Sequence, residues 1–231
     1  TALRINTFET PEDKIKSSLY LKYINCGLSD DLTINGDFSL MGGNLDLAGK
    51  NVTVTGSMTV EGGTLDLNSG NLSVNDDLIQ SNGTIYVNNG TFEIGEDYNI
   101  TSGDGSSYST GYLKMTNEND RVTVGGNFVM DSRYNHSDYL TAGTMEVKGD
   151  FTQKSTSTSS DSRYNFNASG THKVVLSGTD LQTVSFEDYD SSRFNQLEIA
   201  DSTYGVNFST ALRINTFETP EDKIKSSLYL K

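Results

Sequence analysis

From Asp31 to Gly90 the apolar residues fall in three columns that repeat every 20 residues. The first column holds Leu32/Ile34, Val52/Val54 and Leu72/Val74, and Phe92/Ile94 continues it. The second holds Phe38/Leu40, Met58/Val60, Leu78 and Tyr98/Ile100; the third holds Leu45/Leu47, Leu65/Leu67 and Ile85/Val87. Within each pair the spacing is two residues, the strand period that turns alternate side chains to one face. The helical period of about 3.6 residues is absent from this region. Between the columns stand Asn35-Gly36, Gly42-Gly43, Gly62-Gly63 and Asn82-Gly83, residue types that accept the positive φ of tight turns. The pattern predicts three short strands per coil.

A single coil of this kind cannot bury its apolar row. The coil above and the coil below must cover it, and repetition in register is what allows that. The expected fold is therefore all-β, a parallel β-solenoid, and the chirality of parallel crossovers favours a right-handed β-helix. Leu32, Val52, Leu72, Phe92 and Val122 should stack inward in one ladder. Beyond Ile100 the period loosens, with first-column pairs expected at Val122/Val124, Met145/Val147, Val174/Leu176 and Val206/Phe208. That makes eight coils from Leu32 to Phe208. The extra residues enter mainly after the second strand, at 102–111, 131–138, 154–163, 187–193 and 7–18. These insertions should emerge from one corner and stack on each other.

The segment TALRINTFETPEDKIKSSLYLK occupies Thr1–Lys22 and returns unchanged at Thr210–Lys231. GVNFS (205–209) runs into it without a linker. The expected organisation is one β-solenoid repeat unit over 1–209 and the start of the next identical unit over 210–231, as in a tandem array. A borrowed segment capping an open sheet edge is the competing explanation. In each copy Leu3/Ile5 and Leu212/Ile214 are expected as a second-strand pair, and Leu19/Leu21 and Leu228/Leu230 as a third-strand pair. The loops Thr7–Ser18 and Thr216–Ser227 are expected to protrude at the same corner. The chain opens on Thr rather than Met, as an excerpt of a longer or processed polypeptide would.

The phrases LTINGDFSLMGGNLDLAGKNVTVTGSMTVEGGTLDLN and GTHKVVLSGTDLQTVSFEDYDSSRFNQLEIADSTYGVNFS resemble repeats of very large secreted or cell-surface β-helix proteins of bacteria, often Firmicutes. The first is similar to their plain rungs, the second to their unit-closing segment. The resemblance spans about residues 30–209 and implies extracellular scaffolding, adhesion or filament formation. It carries over no functional residues.

Composition narrows the partners. Lys and Arg number 17 against 31 Asp and Glu, a formal charge of −14. Such a chain repels nucleic-acid phosphates and anionic membrane surfaces. Cys26 is the single cysteine and His136 and His172 are the two histidines, so an internal disulfide and a Cys/His zinc site are both excluded. Pro occurs twice, at Pro11 and Pro220, inside the duplicated segment, and no linker divides the chain. No apolar run of about 18 residues is present, so no membrane insertion is expected.

Two features carry candidate chemistry. The turn after the first strand repeats Asp37, Ser57, Asp77, Asp97, Asn127 and Asp150, with Asp76 and Glu96 beside it. Stacked carboxylates about 5 Å apart repel, and Ca2+ with its oxygen ligands is the one cofactor the pattern leaves open. Ordinary turn chemistry explains the same residues. The second feature is Asp131-Ser132-Arg133-Tyr134-Asn135, which recurs at Asp161–Asn165 and loosely at Asp190–Asn195. Arg133, Tyr134, Arg163, Tyr164, Arg193 and Phe194 form a candidate partner-contact surface, for glycans or a cell surface. Arg–Asp pairs and stacked aromatics that pin the loops would need the same residues. Parallel β-helices also serve polysaccharide lyases and glycosidases, but Asp46 and Asp66 have no flanking cleft and no catalytic residue is assigned. Of eight Asn-x-Ser/Thr sequons, several fall inside proposed strands. The expected function is a non-catalytic extracellular repeat that builds a rod, fibre or filament by end-to-end contact with its own kind. The alternative is a carbohydrate-binding or polysaccharide-degrading β-helix.

Overall fold

The computed structural model describes residues 4–8, 14–15, 17–200, 204–219 and 228–229. Among them, 23 strands lie in two sheets, of thirteen and ten strands. Strand pairings are parallel throughout both sheets. The protein is an all-β parallel β-solenoid of about ten turns.

The first column forms one sheet by itself. Leu32, Val52, Leu72, Phe92 and Val122 are successive Cα partners, and the ladder continues through Met145, Val174 and Leu197. All eight are buried. Their neighbours Thr33, Thr53, Ser73 and Thr123 stand in register on the outer face. The alternation of period two is thus converted directly into an inside and an outside.

The second and third columns are not separate strands in the plain coils. Phe38–Asp46, Met58–Asp66 and Leu78–Tyr86 are single nine-residue strands that carry both columns. Hydrogen-bond pairing continues across the corner with register shifts at Met41–Asn44 and Gln80–Thr84. Glycine allows the bend. Gly63 has φ +80°, and a Cβ there would collide with the carbonyl oxygen of Gly43 in the coil below. Gly63→Ala is expected to cost about 2–3 kcal/mol, because both a positive φ and a backbone contact must give. Urea midpoints of the variant and the parent check this; an unchanged midpoint would mean the corner is free to relax.

Four of the five insertions behave as expected. Segments 102–111, 131–138, 154–163 and 187–193 each follow a second-column strand, Tyr98–Ile100, Phe128–Met130, Phe151–Gln153 and Gln182–Phe186. They emerge at the corner where the plain coils carry their glycine bend. The stretch 7–18 does not belong with them. Lys14–Ile15 is a first-column strand paired with Thr33–Ile34, and residues 9–13 and 16 lie outside the described residues.

The late coils need a further correction. Val206/Phe208 is a second-column pair, since Val206–Phe208 pairs with Gln182–Val184. The eighth first-column pair is Leu197/Ile199, opposite Val174/Leu176. Once insertion length varies, several apolar pairs compete for a column, and only the partner strand decides among them.

The duplicated ends agree in one column and differ in another. Leu19–Leu21 pairs with Phe38–Leu40, and Leu228–Tyr229 pairs with Val206–Asn207. Both are second-column strands, not third. Arg4–Phe8 lies in the third column against Ile24–Leu28, whereas Ile214–Glu218 lies in the first column against Phe194–Glu198. The second-strand assignment of Ile5 and Ile214 therefore fails, and the two copies do not repeat one coil. The point of entry sets the difference. Ser209–Arg213 carries the chain past the third corner without strand pairing, and the Phe194 N–H donates to the Arg213 carbonyl. Leu3, Leu230 and most of Thr216–Ser227 lie outside the described residues.

Candidate functional surface

The insertion corner is built on buried polar side chains. Gln80 is in register with Val60 and fully buried. Its Oε1 accepts from the Tyr98 hydroxyl at 2.7 Å, and its Nε2 donates to the Gly83 and Tyr112 carbonyls at 3.2 and 3.0 Å. Ser109 Oγ donates to the Gln80 carbonyl, and Ser132 Oγ to that of Gly111. Asn165 Nδ2 donates to the carbonyls of Ser132 and Lys154, and Ser192 Oγ to that of Arg163. Each insertion is thereby fastened to its neighbours along the solenoid. Satisfied polar groups of this kind fix a loop's path, because an unpaired one is costly in a buried setting.

Aromatic side chains cover the outside of this corner. Tyr112 and Tyr134 stack with centroids 4.7 Å apart and planes 6° apart. Tyr139 meets Tyr112 edge-on at 5.3 Å. The Lys114 ammonium lies 4.6 Å from the Tyr86 ring centre and 4.2 Å from that of Tyr139, and donates to the Tyr86 hydroxyl at 3.0 Å. Burial first, then the neighbouring Tyr134, Tyr139 and Asp161, raise the Tyr112 hydroxyl above the usual tyrosine range. Tyr86 and Lys114 are register partners on the outer face of the third column. The sequence offers a signal for that pair, an outward position repeated in one column, but none for Tyr139.

The six-residue contact surface comes apart in the structure. Arg133 and Arg163 are exposed, Tyr134 is half-buried, and Tyr164 is exposed. Arg163 Nε lies 3.1 Å from Asp188 Oδ1, an ion pair between consecutive insertions. Phe194 is fully buried and packs on Phe151, Phe166 and Phe186. It belongs to the core, not to a contact surface. The cause is register: Arg193 is opposite Asn167, not Arg163, so the third recurrence is out of phase with the second. Arg193 is half-buried, and its Nε finds no hydrogen-bond partner among the described residues.

The acidic turns form a ladder of side chain to backbone bonds. Asp37 Oδ1 accepts from the Ser57 N–H, Asp77 from Asp97, and Asp97 from Asn127. Asn127 Oδ1 accepts from Asp150, and Asp150 from Thr183. Each side chain caps the same turn one coil on. Among the described residues, no three of His, Cys, Asp and Glu form a group suited to a metal ion. Asp46 and Asp66 are register partners on one strand ladder, each engaged by backbone and Asn donors. They sit side by side instead of facing each other across a groove. A shallow groove of about 410 Å3 crosses the outer face of the first-column sheet, lined by residues such as Asn71, Ser73 and Glu93.

The two histidines are fully buried, His136 in the 131–138 insertion and His172 in the turn before the first-column strand Lys173–Leu176. The His136 ring nitrogens lie 2.9 Å from the Tyr134 carbonyl (Nδ1) and 3.3 Å from the Leu113 N–H (Nε2). An imidazole that donates from Nδ1 and accepts at Nε2 satisfies both. Among the described residues His172 has no partner on either ring nitrogen, and it packs edge-on against Phe166. Burial holds both imidazoles down at about 4, with Lys114 adding to the effect at His136 against the Tyr134 carbonyl. No helix among the described residues is long and apolar enough to cross a membrane.

These features define a parallel β-solenoid with one loop-bearing, tyrosine-covered corner. Comparison with protein-family models, with curated proteins and with solved structures finds no match to this chain.

Proposed function

We propose that this chain is a structural repeat, a non-catalytic β-solenoid segment that builds an extracellular rod or filament on a bacterial cell. The observation that carries this function is the continuation of the strand ladders into the repeated segment. Beyond Glu198 the first-column sheet continues with Ile214–Glu218, and beyond Asn207 the other sheet continues with Leu228–Tyr229. Lys173 adds a bond across three coils, its Nζ lying 3.2 Å from Glu198 and 2.9 Å from Glu218. A tandem array would use the second-column part of that junction at every period, since Leu19–Leu21 and Leu228–Tyr229 keep that column while the strands before them do not, and its partner at each end would be another copy of itself.

A chain carrying residues 1–209 twice, followed by 210–231, tests this. The period from Leu19 to Leu228 spans nine coils, so nine further coils at about 4.8 Å each should lengthen the particle by about 43 Å at constant cross-section. Small-angle scattering reads both quantities. A second period that adds volume without length would overturn the rod.

The tyrosine corner supports a second function, carbohydrate binding, because pyranose rings stack on exposed aromatic faces. A glycan panel scored for both binding and turnover separates it from the first. Capture lost in Tyr134→Ala would favour a glycan surface, and turnover would favour the polysaccharide-degrading alternative.

A further inference from the structure

We infer that Asn82-Gly83, in the bend between the second and third columns, is a self-modifying site, where the Asn82 side-chain amide is converted to a carboxylate by attack of the Gly83 nitrogen. The chain holds three Asn-Gly pairs, at Asn35, Asn82 and Asn89. Asn35-Gly36 adjoins residue 16, which lies outside the described residues. The other two asparagines are both exposed, so access to water does not separate them. The direction of the next N–H does. The Gly83 N–H donates to the Oδ1 of Asn82 itself at 2.7 Å. The Gly90 N–H donates instead to the Val87 carbonyl at 2.8 Å, closing a turn. The nitrogen that must react is seated against the carboxamide at Asn82 and aimed elsewhere at Asn89.

The reaction needs water and no other reagent. The Gly83 nitrogen gives its proton to solvent and attacks Cγ of Asn82. The Cγ–Nδ2 bond breaks, ammonia leaves with a proton from water, and a cyclic imide remains. Water then opens the imide. Attack at Cγ gives aspartate; attack at the backbone carbonyl carbon gives isoaspartate, in which the chain runs through the former side chain. Nothing is oxidised or reduced. Glycine has no side chain to shield the attacking nitrogen, and holding the two groups together removes most of the entropic cost of ring closure. The product changes the corner in two ways. Asn82 is the register partner of Glu61, so a second carboxylate arrives beside an existing one, and like charges on neighbouring strands repel. The isoaspartate form also adds a backbone carbon where Gly83 passes close over the backbone of Gly62 and Gly63.

The test ages the full 231-residue chain at mildly alkaline pH in water labelled with heavy oxygen, then maps its peptides by mass spectrometry. The Asn82 peptide should take up label and resolve into aspartate and isoaspartate forms at least about tenfold faster than the Asn89 peptide. The same chain aged in urea provides the second measurement. Without the fold both Asn-Gly pairs lose their fixed geometry, and the two rates should converge. Asn82→Gln moves the carboxamide one carbon farther from the nitrogen and should abolish label uptake at this position. Folded Asn89 converting as fast as Asn82 would overturn the assignment. So would a rate difference that persists in urea, because local sequence and not the bend would then be its cause.

Discussion

Acidification from pH 6.5 to about 4 is expected to remove about 3 kcal/mol of stability for each of the two buried histidines. In the unfolded chain each imidazole takes a proton near pH 6.5. In the folded chain neither does so until about 4. Between those values the unfolded state binds more protons, so stability falls with pH through that window. Above it the contribution is complete, and below it these two groups cause no further loss. Burial is the cause at both sites, and the sites differ in what replacement would cost. His136 accepts from the Leu113 N–H, so an apolar substitute would strand a buried donor. His172 has no partner to strand among the described residues. His172→Leu should therefore be neutral or stabilising at pH 7 and should remove about half of the histidine-linked acid loss. Urea unfolding of parent and variant at pH 7, 5.5 and 4.5 reads this directly. Equal acid sensitivity in the two proteins would show that His172 does not report its burial through protonation.

The second large effect is expected in the aromatic core. Phe151 is fully buried, with ring centroids 4.9 Å from Phe166 and Phe194, 5.1 Å from Phe128 and 5.6 Å from Phe186. These rings belong to several successive coils, at the level where the insertions enter. Phe151→Ala should cost about 3–5 kcal/mol, the sum of lost transfer energy and an unfilled cavity. Phe151→Leu keeps most of the volume and should cost about 1–2 kcal/mol. Denaturant midpoints with unchanged slope would confirm the ordering. Equal losses for Ala and Leu would mean that the rings above and below collapse into the space.

Where the coil length is constant, the fold was legible in the pattern of residues. Leu32, Val52 and Leu72 recur every 20 positions and are Cα partners in the structure. The insertion corner was legible too, because surplus residues accumulate after one column. The buried polar groups were not. Gln80 reads as a surface residue, since its partners Tyr98 and Tyr112 are supplied by the next coil and by the far side of an insertion. The candidate surface was legible only in its outward half. Arg133, Tyr134, Arg163 and Tyr164 reach the outside of the corner, while Phe194 does not, because a motif recurrence carries no information about register.

The sequence by itself determined the all-β solenoid, its coil length in the plain region, its first ladder and the corner that accepts insertions. Those follow from strand alternation and turn chemistry, which are local, repeated every coil and therefore reinforced along the chain. Only the tertiary structure decided that Val206 and Phe208 stand in the second column, that the plain coils merge two columns into one bent strand, and that Phe194 turns inward. It also decided that two identical segments take different places, with Arg4–Phe8 in one sheet and Ile214–Glu218 in the other. The reason is the same in each case. A strand's alternation is its own property, but its column depends on the coil beside it and on the path by which the chain arrives.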